Sequence, residues 1–324
     1  MHRRERLERT LAGEDTDRPP VALWRHFPGD DQRAADLARS TVEFQMTYDW
    51  DFVKFTPSYA YSVVDYGLQD NWDGNADGKR SITKRAVQRS LDWTALRTLD
   101  PQRGELAKAL DAVRLVGEAL GDDVPIIMTV YSPLAQAGDV AGDSALVRHM
   151  RLHPDRVKSG LSVLTETTLR LIDTLRRLPV AGIYYVIRHA NYATLSEAEY
   201  REFGLPYDQR ILDTLPDRLW CNIAQLRGMD PMFRIARELR VQALNWSDRN
   251  TEPTLSQARL MVETALCGGL SATEHLQLGA PSSVRDAARD AMMQMNRKRL
   301  ILTADCAVPV STPLSNLRAA RDVV

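Results

Sequence analysis

The chain is poor in cysteine: Cys221, Cys267 and Cys306 are the only three in 324 residues, and no CxxC pair occurs. That argues against a secreted disulfide framework and for a reducing compartment. No stretch approaches the ~18 consecutive apolar residues that a membrane-crossing helix needs. The opening Met-His-Arg-Arg-Glu-Arg-Leu-Glu-Arg lacks the apolar core of a signal peptide. The expected protein is therefore cytoplasmic, with no membrane partner. Charge of one sign is not in excess either, with 42 Lys and Arg against 43 Asp and Glu. This argues against general nucleic-acid binding, although a local basic cleft can still take a small anion. No glycine-rich phosphate fingerprint follows the first strand candidate, which disfavours a dinucleotide-binding domain.

What the chain does contain is a regular alternation. Apolar strand candidates fall at 21–24, 52–55, 124–130, 181–187, 219–224, 241–246, 265–270 and 299–303. Helical patterns lie between them, for example at 31–47, 101–120, 155–177 and 281–297. The strand candidates show no strict in-out alternation, as expected for strands covered on both faces of a parallel sheet. Two doubly wound halves would fit the count. The even spacing and the absence of a linker favour an α/β fold with a single (β/α)8 TIM barrel over residues 1–324. Residues 59–92 depart from the pattern. Their turn signals and the polar run Ser81-Ile82-Thr83-Lys84 suggest a loop or small antiparallel insert after the second strand, a length usually spent on a functional cover.

In such a barrel the carboxyl ends of the strands converge on one pocket. The segment Arg218–Gly228 anchors it, as a buried strand that ends abruptly in Gln225 and Arg227. Other strand ends would add Arg25 and His26, Thr56, Tyr131, Arg188 and His189, Asp248 and Arg249, His275 and Asp305. Arginines from several strands suit an anionic small-molecule substrate, because the planar guanidinium matches carboxylates and keeps its charge when desolvated. Any one of them can instead pair with Asp248, Asp305 or a loop acid. His26 and His189 are candidate proton donors, since histidine titrates near neutrality. A lone histidine is more often just a hydrogen-bonded neighbour. Tyr131 could lie over a flat substrate or cap the barrel.

At these residues the chain resembles the uroporphyrinogen decarboxylase family, whose superfamily includes zinc-dependent methyltransferases acting on corrinoids and thiols. The resemblance is carried by Asp17-Arg-Pro-Pro-Val-Ala-Leu-Trp-Arg25, Glu199-Tyr-Arg-Glu-Phe-Gly-Leu-Pro-Tyr-Asp208, Ala243-Leu-Asn-Trp-Ser-Asp-Arg249 and Cys306-Ala-Val-Pro-Val-Ser-Thr-Pro-Leu-Ser-Asn316. It implies a (β/α)8 barrel. Arg25 matches the family's first carboxylate-binding arginine, and Tyr131 lies close to its pocket tyrosine. The aspartate that grips pyrrole nitrogens would fall near Pro57, and the last strand's histidine near Asp305; both are departures. In the methyltransferase branch, the His-x-Cys zinc pair falls on Gln225 and Arg227, so that only Cys306 matches. An alignment that brings Cys221 near the site still leaves two ligands missing, so no bound zinc and no organic cofactor are expected.

The expected activity is thus a decarboxylase-like lyase acting on a carboxylate-bearing, porphyrin-type molecule. Its substrate-binding residues would be Arg25, Arg188, Gln225, Arg227, Trp246 and Arg249. His189, His26 or Asp305 would donate the proton, and Tyr131 would shape the pocket. Two other readings stay open: a methyltransferase of the same superfamily, and a non-catalytic tetrapyrrole-binding barrel. A homodimer is allowed.

Overall fold

The computed structural model describes residues 1–324. The chain runs α1 (Arg3–Ala12), α2 (Ala34–Tyr48), β1 (Val53–Phe55), β2 (Gln69–Asn71), β3 (Ser81–Lys84), α3 (Gly104–Leu120), β4 (Ile126–Tyr131), α4 (Pro133–Ala141), α5 (Asp143–Leu152) and α6 (Pro154–Leu175). It continues with β5 (Gly182–Ile187), α7 (Glu197–Phe203), α8 (Leu205–Leu212), β6 (Ile223–Leu226), β7 (Ala243–Asn245), α9 (Leu255–Ala258), β8 (Ala265–Leu270), α10 (Pro281–Gln294), β9 (Leu300–Ala304) and α11 (Leu314–Asp322). Seven strands form one sheet in the order β1-β4-β5-β6-β7-β8-β9, and each neighbouring pair is parallel. β1 and β4 to β9 are buried along their whole length. Burial on both faces explains why their sequences are apolar without alternation.

The segment expected as the first strand is extended but is not a regular strand. Val21 makes one parallel bridge to Leu302. Ala22 N donates to Leu302 O at 3.2 Å and Leu302 N donates to Pro20 O at 2.8 Å, while Asp51 N donates to Val21 O at 2.9 Å. The segment therefore touches β9 on one side and the approach to β1 on the other. Pro19 and Pro20 have no N–H to give, which shortens the ladder.

The strand expected at 219–224 begins later, at Ile223. The Asn222 side chain takes the place of ladder partners, accepting from Ile183 N at 3.0 Å and donating to Leu219 O at 2.5 Å. Gln225 consequently lies inside the strand and Arg227 is the first residue beyond it. β2 and β3 pair antiparallel within the expected insert. Its tip lies against the rim of the sheet, where Val310 N donates to Ala76 O at 2.8 Å. A Cβ on Gly78 would fall 2.9 Å from both His26 Cβ and Val310 Cγ1, so only glycine fits that contact.

Register sorts the side chains. Trp24 meets Tyr184 edge-on at 5.2 Å, and Tyr184 Oη donates to Asn245 Oδ1 at 2.7 Å. Tyr184 thus marks the inner face, and Thr129, paired with it in register, shares that face. Ile127 lies two residues back and pairs with Lys54, which also points inward. Tyr185 faces the other way and donates to Asp208 on α8.

Candidate active site

Two cations without carboxylate partners define the site. Lys54, in the middle of β1, is only 8% exposed. Its Nζ lies 4.9 Å from the Tyr184 ring and 5.6 Å from the Trp24 ring, and donates to Thr56 Oγ1 at 3.3 Å. Burial, reinforced by the charges of Arg227 and Lys79, pulls its pKa down to about 7 against the opposing influence of Cys306. Arg227, just past β6, donates from Nη2 to Cys306 Sγ at 3.5 Å. The Cys306 sulfur is the largest influence on Arg227 and raises its pKa; Tyr59, Tyr131 and Arg188 are its other ionisable neighbours. No carboxylate pairs with either cation, and Lys79 from the insert, itself paired with Asp77 at 2.6 Å, places a further positive group nearby. A small anion would relieve this repulsion.

His26 shares the pocket and is buried. Desolvation first, then the charges of Lys54, Lys79 and Arg227, push its pKa well below the usual imidazole value. At neutral pH it is therefore uncharged, which makes it a poor proton donor. Tyr131 and Tyr59 wall the pocket with ring centroids 6.3 Å apart. Burial raises the pKa of both phenols, Tyr131 well above its ordinary value.

Arg188 belongs to an adjoining network rather than to the Lys54–Arg227 cluster. It donates to Tyr59 Oη at 2.6 Å, to Asp139 at 2.8 Å and to Ala135 O. His189 pairs through Nε2 with Asp143 at 3.0 Å, on the α4–α5 side. Three buried atoms in this network, Asp139 Oδ2, Arg188 Nε and His189 Nδ1, have no partner.

Of the remaining expected residues, Gln225 and Asp305 meet each other and the rest are held apart. Arg25 follows the inward Trp24 and runs along the rim, donating to His26 O and to Val310 O at 3.4 Å each. Its guanidinium lies 5.7 Å from the Phe27 ring, and Tyr48 on α2 is its ionisable neighbour. Trp246 packs on Phe233 at 4.8 Å and donates to Pro253 O at 2.8 Å, because it follows the inward Asn245. Arg249 is spent behind the sheet, donating to Asp290 at 2.5 Å, to Gly269 O at 2.8 Å and to Ala287 O at 2.7 Å. Asp305 accepts from Ser247 Oγ at 2.6 Å and from Ala272 N at 2.8 Å, and Gln225 donates to its carbonyl at 2.7 Å. Those two residues brace the strand ends. His275 Nδ1 accepts from Ser271 N at 3.0 Å. The residue the sequence reading passed over is Lys54. Its signal was a lysine in an otherwise apolar strand, two residues before Thr56 and hence on the same face.

The site does not suit zinc. No group of three or more His, Cys, Asp or Glu side chains is placed to hold one metal ion. A guanidinium already contacts the one cysteine sulfur available, and a divalent cation there would face Arg227 and Lys54 with too few donors.

The family model described as uroporphyrinogen decarboxylase (URO-D) matches residues 75–324. The methylcobamide:CoM methyltransferase MtbA of Methanosarcina mazei is 21% identical over 336 residues, spanning 97% of this chain and 95% of that protein. A uroporphyrinogen decarboxylase of Mycobacterium marinum is 27% identical over 196 residues, 57% of this chain and 53% of that protein. Among solved structures, a methyltransferase from Methanosarcina mazei superposes with a TM-score of 0.88 at 17% identity, covering 100% of this chain and 98% of the other. The likeness that runs the length of the chain is to methyltransferases. This overturns the expectation of a decarboxylase-like lyase on a porphyrin-type substrate.

Proposed function

The chain belongs to the uroporphyrinogen decarboxylase (URO-D) family, and within it we propose that it is a methyltransferase passing a methyl group between a methylated cobamide and a small thiol that carries an anionic group. Arg227 carries this reading: a guanidinium against a sulfur atom, with no carboxylate to neutralise it, at the end of a parallel strand. Relatives that match over most of this chain supply the reaction class, since one is a methylcobamide:CoM methyltransferase and another a methylated-thiol–coenzyme M methyltransferase. The pocket supplies what such a transfer needs. A thiolate attacks carbon far better than a thiol, and cations placed where the negative charge develops stabilise it. Trp24, Tyr184 and Tyr131 give the apolar wall a methyl group prefers.

The same reading takes 20–24 as the eighth stave of a closed (β/α)8 barrel, supported by its contacts with both Leu302 and Asp51. In that frame the substrate enters from the side covered by the insert tip.

The test is a transfer assay with methylcobalamin and coenzyme M, following loss of the free thiol. Wild type should turn over, and Arg227→Ala should lower kcat/KM by about 100-fold, the scale for losing one preorganised charge-stabilising donor. Unchanged thermal unfolding would separate this from misfolding. Carbon dioxide release from a polycarboxylate with no thiol consumption would overturn the reading.

A further inference from the structure

We infer that Lys54 is the proton acceptor that converts the thiol substrate to thiolate, with Arg227 holding the resulting charge. The inference rests on the methyl-transfer reading of this site and assigns it a base.

The argument begins with burial. A lysine ammonium is among the costliest groups to enclose unless a carboxylate or several hydrogen bonds compensate it. Lys54 has neither: Thr56 Oγ1 is the one side chain its Nζ donates to, at 3.3 Å. The faces of Tyr184 and Trp24 offer partial compensation through their π systems. The neighbours that act on it are cations, with the Cys306 thiol alone favouring the ammonium, and the Lys79 charge is partly offset by Asp77 at 2.6 Å. Arg227 comes from the end of β6, Lys79 from the insert, and His26, from the end of the 20–24 segment, is held neutral. Tyr184 on β5 is held protonated by its burial. Such a lysine spends much of its time as the free amine at neutral pH, its pKa lying at about 7. That is the condition for a general base that works without a metal.

Proton transfer balances within the pocket. The S–H bond of the thiol breaks, its proton goes to the Nζ lone pair, and the sulfur keeps the bonding pair as thiolate. An amine and a neutral thiol become an ammonium and a thiolate, and the negative sulfur faces two cations in place of one. Cys306 Sγ at 3.5 Å from Arg227 shows that a sulfur fits against that guanidinium. A purely structural lysine would have no need of this neighbourhood, because a leucine or methionine would fill the same space without the desolvation cost.

Lys54→Arg keeps a positive charge but cannot surrender it near neutrality. Lys54→Met removes the charge and retains most of the volume. In wild type, kcat/KM for thiol methylation should rise with pH through about 7, where Lys54 loses its proton. In Lys54→Arg that limb should vanish and the rate should fall by about 100-fold or more, the usual worth of a general base. Binding is read independently from the ultraviolet absorbance of bound thiolate, with mercaptoacetate as probe and acetate as its thiol-free control. At pH 7.5, about half a unit above the Lys54 pKa, wild type should bind mercaptoacetate as thiolate without releasing a proton to the solvent. Lys54→Met should show little thiolate while melting no earlier than wild type, whereas Lys54→Arg, with two fixed cations, should bind thiolate only by releasing a proton to the solvent. If Lys54→Arg keeps the pH limb and binds thiolate without releasing a proton to the solvent, Lys54 is only a positioning charge and the inference is wrong. If wild type binds acetate and mercaptoacetate alike and shows no thiolate, the thiol reading itself has failed, and the assignment of Lys54 with it.

Discussion

Asp208 on α8 accepts hydrogen bonds from Tyr185 Oη at 2.7 Å and from Tyr200 Oη, and no side chain of opposite charge accompanies it. Desolvation outweighs both hydrogen bonds and lifts its pKa to about 7. The sign of the linkage follows. Between the unfolded value of 3.8 and about 7, the folded protein holds a proton that the unfolded chain has released, so stability falls as pH rises through that window. By pH 8 the penalty is on the order of 4 kcal/mol. Asp208→Asn cannot ionise. Its melting temperature relative to wild type should therefore climb as pH is raised from about 5 to about 8. A gap that stays constant, measured by thermal melts at matched ionic strength, would mean the carboxyl is charged in the folded state. Lys54 obeys the same physics with opposite charge: burial favours the neutral form in both.

Gly182 opens β5 where the chain passes over Cys221. A Cβ there would lie 1.9 Å from the carbonyl oxygen of Cys221, which is backbone and cannot rotate away. Gly182→Ala must push β5 from β6, and a loss of about 3 kcal/mol in denaturant unfolding is expected. A loss below about 0.5 kcal/mol would show that the strands can part there without cost. The strands themselves were legible at this scale. Ala265–Leu270 reads as one apolar run and is β8 to the residue, because burial on both faces writes the strand directly into composition. The antiparallel insert was legible from its turn residues. The active-site list was less so, because it was drawn from residues after the strands without regard to parity. Trp246 follows Asn245, yet the inward direction belongs to Asn245 itself. Lys54 stands inside its strand, so a search confined to strand ends passes it by. Which acid an arginine will pair with, as Arg249 does with Asp290, depends on α10 lying behind β8, and no local spacing encodes that.

At the scale of the whole molecule, one carboxylate ties the beginning of the chain to its sheet. Asp51, fully buried just before β1, pairs with Arg6 of α1 at 2.6 Å and with Arg18 at 2.6 Å. It also accepts from Val21 N at 2.8 Å, while its own N–H donates to Val21 O at 2.9 Å. These bonds fasten the 17–22 segment, which has only one bridge to β9 and whose prolines cannot donate. The catalytic proposal depends on this seam, since Trp24 and His26 reach the pocket only if the segment stays in register. Asp51→Asn retains an oxygen for Val21 N but leaves two arginines facing a neutral amide, one of them keeping Asp17 as its second partner. Breaking one side of a buried ion pair in this way costs about 3–5 kcal/mol. The loss should appear as a lower denaturation midpoint. It should also appear as a rise in KM for the thiol that exceeds any change in kcat, because the pocket wall loosens while Lys54 and Arg227 remain on their own strands. An unaltered midpoint, or a fall in kcat alone, would show that the sheet holds its shape without this seam.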